Sequence, residues 1–543
     1  MKQGIQLTKV LMSFLFFISI GFAQVVTVEG DLTADATWTS DNTYYLNNQL
    51  FVKDGVTLTI EAGTEILGRY DANYSADNPA PCVVVEQGGM IMAEGTADAP
   101  ITFRSELDPD DANYGNGRGL WGGLIVNGYA PISNTGGVSN VEGLTSVQYG
   151  GTDPDDNSGI MRYVRVWNGG SSIAPDNEIN GITLAGVGRG TTVEYCEVAM
   201  NLDDGFEMFG GTVDLRYCSA VAVGDDAFDT DNGYQGRGQF LLVVRADDSD
   251  KAHEMDNATN GDLDSQPRSH PHFANVTVIS SPSHGEDGLR LREGTGGDFR
   301  NYIIHGANDG VRNDENGSEV VTQDLTEAAA AGHPDYLYIS GSMIMNGLAD
   351  VPWDDFDEEG DGTWTGTYVS ESAGLSISVD ADGMPEMLDV TPTLGGIAYE
   401  GVDEVIEDDF FEQVNYKGAF GSHNWMEEWS GMMSYVTMLN LEEKDSHVIS
   451  DEISLLGNYP NPFNPSTEIA FELGKSYEIV NLKVFNLMGQ TVFETSIKNV
   501  RAGNHKITWE GSDMSGAVVP SGLYLYQIST DTRSVIGKMT LLK

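Results

Sequence analysis

The chain has 543 residues, 65 of them glycine, and carries 83 acidic against 28 basic side chains for a formal net charge of −55. A field of that sign repels nucleic acid, anionic lipid and polyuronates unless cations intervene. So much glycine with only 40% hydrophobic residues favours many tight turns over a helical core.

Residues 1–23 read as a secretory signal peptide. Lys2 and Lys9 give a positive start, residues 10–20 are an apolar run, and Gly21-Phe22-Ala23 offers a small-residue cleavage site before Gln24. The apolar run is shorter than the roughly 20 residues that cross a bilayer, and no later segment is apolar enough to span one. Charge divides the remainder: residues 24–450 hold 18 basic and 74 acidic side chains, residues 451–543 hold 8 and 9. The acidity therefore belongs to the first part, either as a solvated face that keeps it soluble or as loops that hold calcium.

Within that part Val56-Thr57-Leu58-Thr59-Ile60 alternates apolar and polar residues, the mark of a strand with one buried face, and Glu61-Ala62-Gly63-Thr64 turns the chain. The phrase recurs at residues 89–96, and residues 121–126 open a third wall. Further on the sequence repeats almost in register. Tyr195-Cys196 returns as Tyr217-Cys218, Asp203-Asp204 as Asp225-Asp226 and Phe206 as Phe228, each offset being 22 residues (218 − 196, 226 − 204, 228 − 206). A period near 22 without heptads suits one coil of a parallel β-solenoid. Equivalent residues then stack about 4.8 Å apart. Residues 247–270 read as a polar excursion without strand character, after which Asp287-Gly288-Leu289 and Asp309-Gly310-Val311 resume the same offset. The aromatic stretch 410–429 is expected to cover the open end of the solenoid. Cys82, Cys196 and Cys218 cannot all pair with one another; Cys196 and Cys218 stack either as a bridge or as buried thiols.

The repeat sets an acidic ladder whose members Asp203, Asp204, Asp225, Asp226, Asp229 and Asp231 are candidate calcium ligands, since that ion takes clustered carboxylates and turn carbonyls. Asp355, Asp357, Glu359 and Gly360 imitate the first half of an EF-hand loop, without its closing Glu. Two carboxyls on neighbouring coils also suit the acid and base of an inverting glycosidase.

The repeated stretch resembles right-handed parallel β-helix proteins of the pectate-lyase-like kind. More closely, residues 203–207, 224–229 and 410–420 resemble a group of β-helix proteins exported by Bacteroidetes-like bacteria, which implies a fold without implying an activity. Gly224-Asp225-Asp226 also resembles the Gly-Asp-Asp of polygalacturonases, with Asp204 one coil earlier. Ser283-His284-Gly285 and Arg290-Leu291-Arg292 are imperfect echoes of that family's later phrases. The resemblance implies Asp204, Asp225, Asp226, His284 and Arg292 as catalytic candidates, although His284 lies 58 residues after Asp226 (284 − 226) rather than one coil. A calcium-dependent lyase would draw its base from Arg290, Arg292 or Arg312.

Beyond residue 453 short strands follow at the spacing of a small sandwich, entered through a proline-rich edge. Pro460-Asn461-Pro462-Phe463-Asn464-Pro465, Gly489, Gly522 with Tyr524, and Lys538-Met539 fall in phrases that resemble the sorting domain of the type IX secretion system, itself similar to the immunoglobulin-like domain of flagellar hook-capping proteins. That resemblance implies the type IX secretion machinery as partner and the outer cell surface as destination.

The expectation is thus an all-β protein. Residues 1–23 are a signal peptide, 24–430 a right-handed parallel β-helix with an aromatic C-terminal cap, 431–453 a linker and 454–543 an immunoglobulin-like sorting domain. Its expected role is structural or binding, toward polysaccharide or another cell, with a carbohydrate-active enzyme as the alternative and calcium as the one expected cofactor.

Overall fold

The computed structural model describes residues 24–432 and 453–541, apart from 29, 76, 110, 142–143, 172–178, 258–260, 282, 284, 315–320, 325–335, 355–365, 381–382, 428, 460–462, 464, 474, 486–490, 515–517, 521 and 531–533. The signal-peptide residues and the EF-hand-like loop lie outside the described residues. Two compact units divide at residue 440.

In the first unit every coil adds a strand to a parallel ten-stranded wall, which runs from Leu50–Val52 through Ile182–Ala185, Phe206–Phe209, Phe228–Asp231 and His253–Met255 to Trp353–Asp354. A second parallel wall has eighteen strands among the described residues. The expected parallel β-helix is therefore present. Its register follows the 22-residue repeat, with Phe206 paired to Phe228 and their rings stacked at 5.0 Å, and Tyr195 on Tyr217 at 4.6 Å. Between the walls lies a continuous core that includes Val193, Cys196, Phe206, Leu215, Cys218 and Phe228. Both of these cysteines are buried free thiols, so of the two readings the unbridged one holds.

Along the larger wall six successive coils bend at one residue in the left-handed region: Tyr163, Tyr195, Tyr217 and Phe240, then Asn275 and Asn301, with φ between 51° and 60°. A non-glycine residue there costs about 1–2 kcal/mol. The aromatic ones stack face to face, with centroids 4.5 to 4.8 Å apart. Asn275 and Asn301 donate instead to the carbonyls of Tyr416 and Asp403.

Two expectations need correction. The supposedly strandless excursion contributes the rung His253–Met255, which pairs with Phe228–Asp231 and Leu289–Leu291. It is three residues long, and a histidine stands where the neighbouring coil has an inward phenylalanine, so no alternation shows in sequence. The aromatic stretch 410–429 does not close an end of the helix. It runs along the flank of the larger wall, where Trp425 meets Tyr195 and Tyr217 edge-on and Trp429 meets Tyr163. The outward residues Ala199, Val221, Leu242, Ile279 and Ile303 of that wall are apolar, and Phe420, Trp425 and Trp429 cover them. The strap ends where Gly431 donates to buried Glu197 at 3.1 Å.

The second unit is a sandwich of a three-stranded and a four-stranded antiparallel sheet. Phe463, Trp509, Tyr524 and Met539 are buried in its core. Trp509 lies 5.6 Å from Phe463 and 5.2 Å from Tyr524, whose hydroxyl donates to the Pro520 carbonyl. Of the sorting-motif residues, Pro465 is exposed and Gly522 opens the strand Gly522–Ser529 with φ +153°. Lys538 lies within Ser534–Leu541. Pro460, Asn461, Pro462, Asn464 and Gly489 lie outside the described residues.

Candidate functional site

Each coil turns into the ten-stranded wall through a short corner: Asp203-Asp204-Gly205, Asp225-Asp226-Ala227, Asp250-Lys251-Ala252, Glu286-Asp287-Gly288. The corners are locked in register, because Gly205 N donates to Asp226 O, Ala227 N to Lys251 O and Ala252 N to Asp287 O at 2.8 to 3.3 Å. A Cβ at position 205 would meet the Ala227 carbonyl oxygen at 2.6 Å, so this corner closes around glycine where the next two carry alanine. Beside the corners runs an outward row on the wall itself, Glu207 paired to Asp229, Asp229 to Glu254, Glu254 to Arg290 and Arg290 to Arg312.

These rows converge on a cleft of about 260 Å³. Asp203, Asp204, Asp225 and Asp226 line it as the repeat implies, and Asp229 joins them. Asp231 does not. It stands two residues further along the same face of the strand, beside Asp256, Glu293 and Arg292. Sequence reasoning missed Asn180, Glu207, Asp250, Lys251 and Glu254. Glu207 was within reach, since it precedes Asp229 by one period (229 − 207 = 22). Among the described residues three groups of carboxylates bring ligand atoms within 4.8 Å of one another: Asp203–Asp204–Asp225, Asp204–Glu207–Asp229 and Asp225–Asp226–Asp250.

Burial and mutual repulsion shape the protonation of the cleft. Asp204 is held well above the usual carboxylate range, first by burial and then by Glu207. Asp226 and Asp229 are raised in the same way, by burial and then by Glu254 and Asp204 respectively. Asp225 is pushed up to about 6 by burial and by Asp250. Asp250 itself is held low although burial opposes this, because Lys251 donates to it at 2.6 Å. Lys251 also stands 3.3 Å from Glu254 and 3.9 Å from Asp226, and despite burial these charges keep it protonated.

The arginines expected as lyase bases are each paired with carboxylates. Arg290 donates to Asp314 at 2.8 and 2.9 Å, Arg292 pairs with Asp256 and Glu254, and Arg312 with Asp314. A guanidinium so paired is a positioning cation rather than a base. His284 lies outside the described residues.

Residues 30–332 match the family model of the pectate-lyase like beta helix domain, more than half of the chain. The chain belongs to this β-helix family. Residues 458–534 of this family member match the FlgD Ig-like domain. Among solved structures it is similar to latent dimeric PorU from Porphyromonas gingivalis (17% identity over 17% of this chain and 9% of that one, TM-score 0.15). It is similar also to PorZ, described as an essential surface component of the type-IX secretion system of the same organism (19% identity, 19% of this chain and 12% of that one, TM-score 0.13). FlgD from P. aeruginosa matches at 19% identity over 17% of this chain and 75% of its own, with a TM-score of 0.13. The β-helix chain thus spans about a tenth of PorU and PorZ. No curated protein matches it.

Proposed function

We propose that the protein is exported with its C-terminal module read as an address by the type IX secretion machinery, and that the β-helix is displayed at the outer cell surface as a structural or binding element whose cleft holds calcium. The export reading is supported by the ordered series of sorting phrases in residues 454–543 and by the FlgD Ig-like match within them. The observation that carries the binding reading is the lining of the cleft, which is Asp, Glu, Asn and Lys throughout. Sites that turn over or hold sugars offer apolar and aromatic surface to the ring with a few polar groups placed around it. A wall of oxygen donors instead suits a hard cation. Lys251, kept protonated by its partners, is no base for a lyase. A polygalacturonase-like hydrolase or calcium-dependent lyase is therefore the less supported reading, although the raised Asp226 has the protonation a general acid needs.

Deleting residues 456–543 tests the address: the body should fold and fail to reach the surface, and normal surface levels of the truncated protein would defeat the reading. Chelation tests the cleft. An ion bound only to the folded state stabilises by about 2.7 kcal/mol at a hundredfold excess over Kd, so chelator should lower the melting temperature by several degrees. An unchanged melting temperature, with release of new chain ends from a polyuronate that is lost in Asp226→Asn, would install the enzyme reading instead.

A further inference from the structure

Three side chains of the cleft are arranged unlike the rest. Asn180 is 6% exposed, donates its Nδ2 to Glu207, and its Oδ1 has no partner among the described residues. Asp229 Oδ1 is likewise buried and without a partner among them. Lys251 stands in the rung that Asp204 and Asp226 occupy in the two preceding coils. Its backbone amide donates to Asp226 Oδ1 at 2.7 Å, as the Asp226 amide donates to Asp204 Oδ1 at 2.9 Å.

We infer that Lys251 is a built-in cation that replaces a second metal ion, so that the cleft takes a single divalent cation, bound by Asp204, Glu207, Asp229 and the free Oδ1 of Asn180. This rests on the calcium reading above and adds where the ion sits and how many there are. The group Asp225–Asp226–Asp250 has the ligand spacing of a cation site, yet the Lys251 ammonium lies 2.6 Å from Asp250 and 3.9 Å from Asp226, within the space such an ion would need. At Asp204–Glu207–Asp229 the orphaned oxygens of Asn180 and Asp229 remain. A buried carbonyl-type oxygen without a donor is a cost unless something positive faces it. Calcium accepts carboxylate and Asn oxygens together in a flexible shell of six to eight, which water completes here. The Asn180 hydrogen bond to Glu207 also orients a ligating carboxylate, a contact whose loss in metal sites weakens binding by about 10- to 100-fold.

The test is calcium titration of the purified full chain by calorimetry, with circular dichroism to verify folding. Wild type should bind one equivalent, Asp229→Asn and Asn180→Leu should bind it about tenfold more weakly or worse, Lys251→Met should bind two, and Lys251→Arg should stay at one. One equivalent in a folded Lys251→Met overturns the substitution of lysine for metal. Unaltered affinity in both Asp229→Asn and Asn180→Leu overturns the location. Should Lys251→Met fail to fold, Lys251→Gln takes its place under the same criterion. A wild type that binds no calcium overturns the calcium reading itself, a different outcome from either of these.

Discussion

Asp226 and Asp204 occupy the same corner of adjacent coils, and the backbone amide of Asp226 donates to Asp204 Oδ1 at 2.9 Å. The ladder carboxylates are therefore structural acceptors. Their Oδ1 satisfies a buried amide of the next coil.

This separates two substitutions at each rung. Asn keeps an acceptor oxygen, so Asp204→Asn and Asp226→Asn should both fold normally, and Asp204→Asn should lose calcium-dependent stabilisation. Ala strands a buried N–H, a loss of about 1–3 kcal/mol, so Asp204→Ala and Asp226→Ala should be destabilised even with chelator present. Urea unfolding of the four variants in chelator distinguishes the pairs; equal stability of Asn and Ala variants would mean the amide bond contributes nothing.

Acidity should stabilise the metal-free protein. Asp231 and Asp287 are each raised to about 7, first by burial and then by Asp256 and by Asp309 respectively, against an unfolded value of about 3.9. The folded state therefore holds more protons than the unfolded between these values, and stability falls as pH rises through that window. In chelator the melting temperature should climb on going from pH 7.5 to pH 5. Excess calcium should flatten or reverse that slope, because the ion binds deprotonated ligands. A melting temperature in chelator that instead falls steadily below pH 7 would contradict the buried-acid account.

The strap should detach before the coils melt. Trp425 is 8% exposed, stacks on Phe420 at 5.1 Å and donates its indole N–H to the Ala419 carbonyl. Replacing such a residue by alanine costs about 3–5 kcal/mol. Trp425→Ala should make residues 403–431 sensitive to limited proteolysis while a fragment containing the coils survives, as mass spectrometry of the digest would reveal. Cleavage spread evenly over the coils would show that strap and coils unfold as one.

Inside the coils the stacked pair Phe206 and Phe228 is fully buried. Phe228→Ala should lower stability by about 3–5 kcal/mol. Because each coil depends on its neighbours, the loss should appear as a lowered midpoint of the whole β-helix transition. An early separate transition confined to one coil would argue against that cooperativity.

The amino-acid sequence by itself determined the coil. A 22-residue recurrence of apolar and acidic residues can bury its apolar face only by stacking on itself, and this puts Tyr195 on Tyr217 and Asp204 beside Asp226 before any coordinate is known. The break in charge and the proline-bounded strands likewise announced a second β module. Only the tertiary structure decided what completes the cleft and what covers the wall. Lys251 enters the aspartate row after an interval of 25 residues rather than 22 (251 − 226), so the period that marks the other rungs passes over it. The bends at Tyr195 and Tyr217 are held by ring stacking between coils instead of by glycine, and no local turn signal marks them. The strap is placed by contacts such as Gly431 with Glu197, 234 residues apart. Repetition records which residues are equivalent. A contact between segments that share no period leaves no trace in spacing, and its partners are chosen only once the coils have folded and exposed an apolar flank.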